Sequence, residues 1–232
     1  MNNIRVDVIN GKKPIILVAP HGSDDISTAL ITETVAQKLD ANAVINYGFE
    51  RGETPDPDND IADCNRIDHC QSPVVYEEFL KPLVKIKQNI DASLKNFEQR
   101  ALVLFIHGCG DIVHKETGEN VGVIVGYGLG GKKDSITCRD WRKNAFVDIW
   151  RMHCKGHEIY EGSGSGRYAG RSSNNMNQYF KRYDHFDADS LQLEFPLSFR
   201  SHPHLASHLI AITIEDMYSY LKYTRIPTKK LI

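Results

Sequence analysis

Two histidines stand where aliphatic runs give out. His21 follows Ile15 to Ala19, and His107 closes Ala101 to His107; both runs read as buried strands. A third run, Leu191 to Phe195, contains Glu194. In open α/β sheets ligands bind beyond the carboxyl ends of the strands, so these side chains meet at one edge if the strands are parallel neighbours. Two imidazoles and one carboxylate hold zinc and leave a position open for water. A second carboxylate that is not a ligand can serve as general base toward that water. Each residue also has an ordinary role. Asp24 or Asp25 can cap a helix, a histidine after a strand is commonly a plain loop residue, and alternation can turn Glu194 to solvent at a sheet edge. The conjunction is harder to dismiss than its members.

A second cluster, Asp63-Cys64-Asn65-Arg66, lies in an irregular loop. An arginine can grip a substrate carboxylate through two parallel hydrogen bonds, with the asparagine adding a polar contact. Alternatively Arg66 pairs with a nearby acid (Asp60, Asp63 or Asp68) on the surface, a contact worth little. Arg51, in the same loop, can stabilise a developing oxyanion; Arg167 and Arg171 can add anion contacts or lie in solvent. Cys109 reads as a buried thiol. The run Gly126 to Lys132 satisfies a G-x-G-x-x-G spacing, but Lys133 stands where a phosphate-binding loop has Ser or Thr, and no helix opens at once. It remains a rival: a non-catalytic nucleotide- or anion-binding loop. His202, His204 and His208 lack the acid of a zinc-protease helix and read as incidental.

These groups need a scaffold. Asp25 to Leu39 spaces Ile26, Leu30, Ile31, Val35 and Leu39 as a helix does. Ala43 to Tyr47 reads as a strand, Gly48 to Asn65 as irregular, and Tyr76 to Arg100 as a long helix with a kink at Pro82. Strands over Val121 to Val125 and His157 to Tyr160, helices over Arg139 to Cys154 and Leu205 to Tyr223, and a flexible Gly162 to Ser173 loop complete the pattern. Strands alternating with helices predict an α/β fold: a three-layer sandwich whose mixed, mostly parallel sheet is covered by helices on both faces. The 232 residues read as a single domain, 1–232.

Composition sets limits. With 28 Lys+Arg against 30 Asp+Glu the net charge is -2, which offers no footprint for nucleic acid or an anionic membrane. No run approaches a membrane span, and none reads as a secretory leader. The cysteines, five in number, are scattered, which argues against a disulfide scaffold. A cytoplasmic protein with a small-molecule partner is the expectation.

The order His-Gly-x-Asp, Asp-x-Asn-Arg, a strand-terminal His and a late strand Glu resembles the zinc-carboxypeptidase superfamily. Its amidohydrolase branch is the nearest in pattern: N-formylglutamate amidohydrolases, aspartoacylases and succinylglutamate desuccinylases. Ala19-Pro20-His21-Gly22, Tyr168-Ala169-Gly170 and Leu191-Gln192-Leu193-Glu194 carry the N-formylglutamate amidohydrolase version. The resemblance implies one Zn²⁺ per chain on His21, Asp24 and His107, with Asn65 and Arg66 on a substrate carboxylate and Glu194 as general base. Relatives usually have Glu at position 24, one methylene longer, which leaves Asp25 as the other candidate ligand. The implied reaction is hydrolysis of an amide in an N-acyl amino acid with a free carboxylate; a zinc carboxypeptidase acting on short peptides is the alternative.

Overall fold

A computed structural model describes residues 4–94, 100–113, 118–130, 135–162, 168–182 and 188–223. Its strands are β1 (Val6–Ile9), β2 (Ile15–Ala19), β3 (Asn42–Asn46), β4 (Ala101–Cys109), β5 (Val121–Gly126), β6 (Glu158–Glu161) and β7 (Ala188–Pro196). They form one sheet in the order β1-β3-β2-β4-β7-β5-β6. β3, β2, β4 and β7 run parallel; β1 is antiparallel to β3, and β5, with β6 parallel to it, is antiparallel to β7. The sheet is therefore mixed and mostly parallel, as the alternation predicts.

Helices cover both faces. They are α1 (Thr28–Leu39), α2 (Ile67–Cys70), α3 (Pro73–Val75), α4 (Lys81–Ser93), α5 (Asp140–His153), α6 (Tyr179–Arg182), α7 (Leu197–Arg200) and α8 (Pro203–Tyr223). On one face Leu17, Leu104 and Leu193 pack with Ile31 and Val35 of α1, Phe146 and Trp150 of α5 and Ile210 of α8. On the other, Ile16, Val18, Val103 and Phe105 pack with Ile67, Phe79, Leu83 and Phe180. Strands buried from both sides must be apolar at every position, and Ile15–Ala19 is.

Three expectations are corrected. Helix α1 opens at Thr28, not Asp25, because residues 21–27 form a loop; Ile26 and Leu30 are 65% and 44% exposed rather than on the buried face. The segment from Tyr76 begins as a wide π turn, Tyr76–Leu80, before α4. That turn precedes Pro82, whose ring and missing N–H cannot continue a tight α-helical ladder. β7 is longer than its apolar run and lies inside the sheet between β4 and β5, so Glu194 is not at a solvent edge. The short strand β1 went unread. Its four residues are all half-buried, and a short edge strand carries little periodicity.

Candidate metal and hydrolytic site

β2, β4 and β7 end at the same edge of the sheet. In register, His107 of β4 lies directly beside Glu194 of β7, which brings the two side chains to one face. His21 sits two residues beyond β2, held by a loop whose Gly22 abuts the carbonyl of Asn46. A Cβ at Gly22 would lie 2.3 Å from that oxygen, so no other residue fits there without shifting β3. Asn46 fastens the loop by donating from Nδ2 to the carbonyls of Pro20 (2.8 Å) and Phe49 (2.7 Å).

The turn after His21 decides which aspartate faces the histidines. The backbone N–H of Asp25 bonds the carbonyl of His21 at 2.7 Å, one helical turn back, so Asp25 rises over His21. Among the described residues His21, Asp25 and His107 form the group able to hold a metal ion, all three buried. Asp24, the ligand implied by the resemblance, lines the same cavity but turns away. Its Oδ2 accepts from the backbone N–H (3.0 Å) and Nε (3.1 Å) of Arg51.

The donor geometry fits zinc. Nδ1 of His107 lies 3.2 Å from Nδ1 of His21, and Oδ2 of Asp25 lies 3.6 Å from the latter. Two nitrogens on a tetrahedral zinc stand roughly 3.3 Å apart, given Zn–N bonds of about 2.0–2.1 Å. Two ring lone pairs this close in a buried place need a proton or a cation between them. The other nitrogen of His21, Nε2, donates to Oδ1 of Asp63 at 2.7 Å, which fixes the tautomer that leaves Nδ1 free to ligate. Asp63 is itself placed: its N–H donates to Nδ1 of buried His69 (3.0 Å), and its Oδ1 accepts from the N–H of Asn65 (2.9 Å). Nε2 of His107 is buried with no hydrogen-bond partner among the described residues.

Electrostatics separate the carboxylates. Burial opposes charge on Asp25, but neighbouring His21, the bond from the N–H of Gly108 and the charge of Arg51 outweigh it and bring its pKa down to about 2. Asp25 is thus a carboxylate ready to ligate. Glu194 is different: burial raises it to about 7, against the bond it accepts from Gln192 Nε2 (2.8 Å). A carboxyl poised near neutrality can both take and return a proton. Burial, then the charge of His21, lowers His107 to about 3, so it is neutral as a ligand must be. In His21 burial is overcome by Asp25 and Asp63, which raise its pKa.

These groups line a cavity of about 450 Å³. Arg51 is in its wall, with Nη2 donating to Oδ1 of Asp25 at 3.0 Å. Asn65 is there too, its Oδ1 buried and unpartnered among the described residues. Arg66 is not brought to the wall. Its Nε and Nη2 grip both oxygens of Asp68 at 3.2 and 2.7 Å, and Nη1 reaches the carbonyl of Glu53. Arg171 bonds the carbonyl of Gly130, and Arg167 lies outside the described residues. Cys109 is in the wall as a buried thiol, raised to about 12 by burial, so it is no nucleophile near neutrality. Sequence reasoning missed Asp63 as the partner of His21, and it missed Gln192 and Arg200. Gln192 was findable, since it stands two positions before Glu194 on the same strand face.

The Gly126 loop does not line the cavity. β5 runs antiparallel to β7, passing Glu194 at Ile124 and Gln192 at Gly126, so the chain beyond Gly126 leads away from His107 and Glu194. The N–H of Gly128 is spent on the carbonyl of Ala169, and among the described residues the next helix begins at Asp140. Residues 131–134, with Lys132 and Lys133, lie outside the described residues. Among the described residues no helix is long and apolar enough to cross a membrane.

No family model and no curated protein matches the chain in sequence. In structure it is similar to a gene product of Agrobacterium tumefaciens at 12% identity, with a TM-score of 0.55 and coverage of 94% of this chain and 96% of that one. It is also similar to an N-formylglutamate amidohydrolase from Ralstonia eutropha JMP134 (10% identity, TM-score 0.52, 94% and 99% covered). A metallo-carboxypeptidase from Burkholderia cenocepacia matches at 11% identity and a TM-score of 0.55, with 93% of this chain against 61% of that one. The chain has the α/β fold that these metallo-carboxypeptidase and N-formylglutamate amidohydrolase structures share, as its strand-end motifs imply.

Proposed function

We propose that the protein is a zinc-dependent amidohydrolase acting on a small N-acyl amino acid with a free carboxylate, of the N-formylglutamate kind. The observation that carries this reading is the convergence of His21, His107 and Asp25 in the same cavity as buried Glu194, whose pKa stands at about 7. His21, Asp25 and His107 would hold the metal, with Asp63 orienting the first. Zinc held there supplies Lewis acidity toward a water and a carbonyl. Glu194 takes a proton from the attacking water and returns it to the leaving amine, and Gln192 holds its Oε1 in place during both transfers. Arg51, steadied by Asp24, offers positive charge at the wall where the carbonyl oxygen becomes negative. Asn65 presents its unpartnered Oδ1 to a substrate N–H.

A cavity of about 450 Å³ falls in the size range of small-molecule sites, which favours an acyl amino acid over a long peptide. The carboxypeptidase reading keeps support from the fold shared with the Burkholderia cenocepacia protein. The test is a panel of N-formyl, N-acetyl and N-succinyl amino acids beside short peptides, with amine release measured after chelation and after zinc is restored. Zinc-restored cleavage of an acyl amino acid is expected. A fully zinc-loaded protein that releases no amine from any member would overturn the proposal.

A further inference from the structure

Arg200 is a cation of the cavity wall that makes no ion pair with a carboxylate among the described residues; only exposed Asp111 feels its charge, without contact. It is 5% exposed, at the end of α7. Its Nε donates to the carbonyl of Phe195 (2.8 Å), its Nη2 to that of Cys109 (3.2 Å) and its Nη1 to that of Ile26. Those carbonyls belong to the end of β7, the end of β4 and the loop before α1, the three segments that carry Glu194, His107 and Asp25. Gly108 makes the room, since a Cβ there would stand 2.5 Å from Cζ of Arg200.

Carbonyl dipoles satisfy N–H donors, but they leave the positive charge whole. A buried charge without a counter-charge is costly. Elsewhere the fold avoids that cost: buried Arg142 pairs with Asp189 at 2.9 Å, and buried Lys87 pairs with Asp91. The guanidinium carries five N–H groups. Three are donated to carbonyls, so one remains on each terminal nitrogen, the number a carboxylate takes up with its two oxygens. The three carbonyls also hold the fork still, so little freedom is lost when an anion arrives.

We propose that Arg200, in place of Arg66, receives the substrate's carboxylate, which makes the cavity selective for anionic acyl compounds. The inference rests on reading the cavity as the hydrolytic site. Arg66 already has its carboxylate in Asp68, whereas Arg200 borders the cavity and has none in contact with it. Lysine at position 200 would keep the charge but could not span three carbonyls and an anion.

Two measurements test it. In the zinc-loaded protein, Arg200→Gln should lower kcat/KM for N-formyl-L-glutamate ten- to a hundredfold, the range of a charge-assisted contact. For one of the two monoamides of that compound, variant and wild type should be equally fast, a selective loss that a merely structural clamp would not produce. Equal losses on all three compounds would overturn the proposal. Should the variant fail to fold, a crystal structure of the wild-type zinc protein with glutarate decides: a carboxylate on the terminal nitrogens of Arg200 supports the assignment, and one on Arg51 or Arg66, or none in the cavity, overturns it. If glutarate occupies Arg200 but no acyl amino acid is cleaved, the hydrolytic reading falls and the anion site stands.

Discussion

Replacing Glu194 by glutamine should stabilise the metal-free protein above neutral pH and leave it unchanged in acid. Burial lifts the carboxyl from its ordinary 4.5 to about 7. A group whose folded pKa is raised gives full stability below the unfolded value and loses it as the pH climbs through the folded one. The wild type therefore loses stability between pH 4.5 and 7 that a neutral amide keeps. At 1.36 kcal/mol per pKa unit the difference reaches about 3 kcal/mol once both states are ionised. Glutamine retains the oxygen that accepts from Gln192, so packing is little disturbed. In a chain of this size about 3 kcal/mol corresponds to roughly 6–12 °C in Tm. The assay is urea unfolding of chelator-treated wild type and Glu194→Gln at pH 5 and pH 8.5. A gap that opens with pH supports the reasoning; an equal gap at both values, or a less stable variant at pH 8.5, refutes it.

Further expectations concern activity and metal. Glu194→Gln should retain zinc yet lose roughly 10²–10⁴ in turnover, checked by metal analysis beside initial rates; unchanged turnover would remove Glu194 as base. Asp63→Asn should weaken zinc affinity roughly 10- to 100-fold in a competition titration with a chromogenic chelator, because His21 loses the carboxylate that sets its tautomer. The rate should rise with pH as Glu194 ionises, with a midpoint below about 7 in the zinc protein, since a nearby cation favours the carboxylate; a rate that falls over pH 5–7 would contradict a base role. Arg66→Gln should change kcat/KM for N-formyl-L-glutamate less than Arg200→Gln does, measured side by side.

The sequence made the central layer legible because strands buried on both faces are apolar without interruption. Ile15–Ala19 and Ala101–His107 stand out, the first leading to His21 two residues on and the second ending in His107. Glu194 was legible as a late strand carboxylate, but its burial was not: that depends on β7 inserting between β4 and β5, a long-range pairing local pattern cannot reveal. The Asp24–Asp25 pair shows the same limit at finer scale. Only the turn that bonds Asp25 N–H to the His21 carbonyl puts residue 25, and not 24, over the imidazole. The DCNR cluster was read through its arginine, whereas its aspartate touches His21; spacing names the loop but not which side chain turns inward. Arg200 carried no local signal, because its meaning comes from carbonyls of three segments remote from one another in sequence.

Zinc-edge anomalous diffraction from crystals of the zinc-loaded wild type tests the central claim most directly. One strong peak should lie between Nδ1 of His21, Nδ1 of His107 and the carboxylate of Asp25, with Glu194 lining the same cavity and unligated. A peak elsewhere, a peak held by Asp24, or no peak in a protein that hydrolyses its substrate would contradict the assignment.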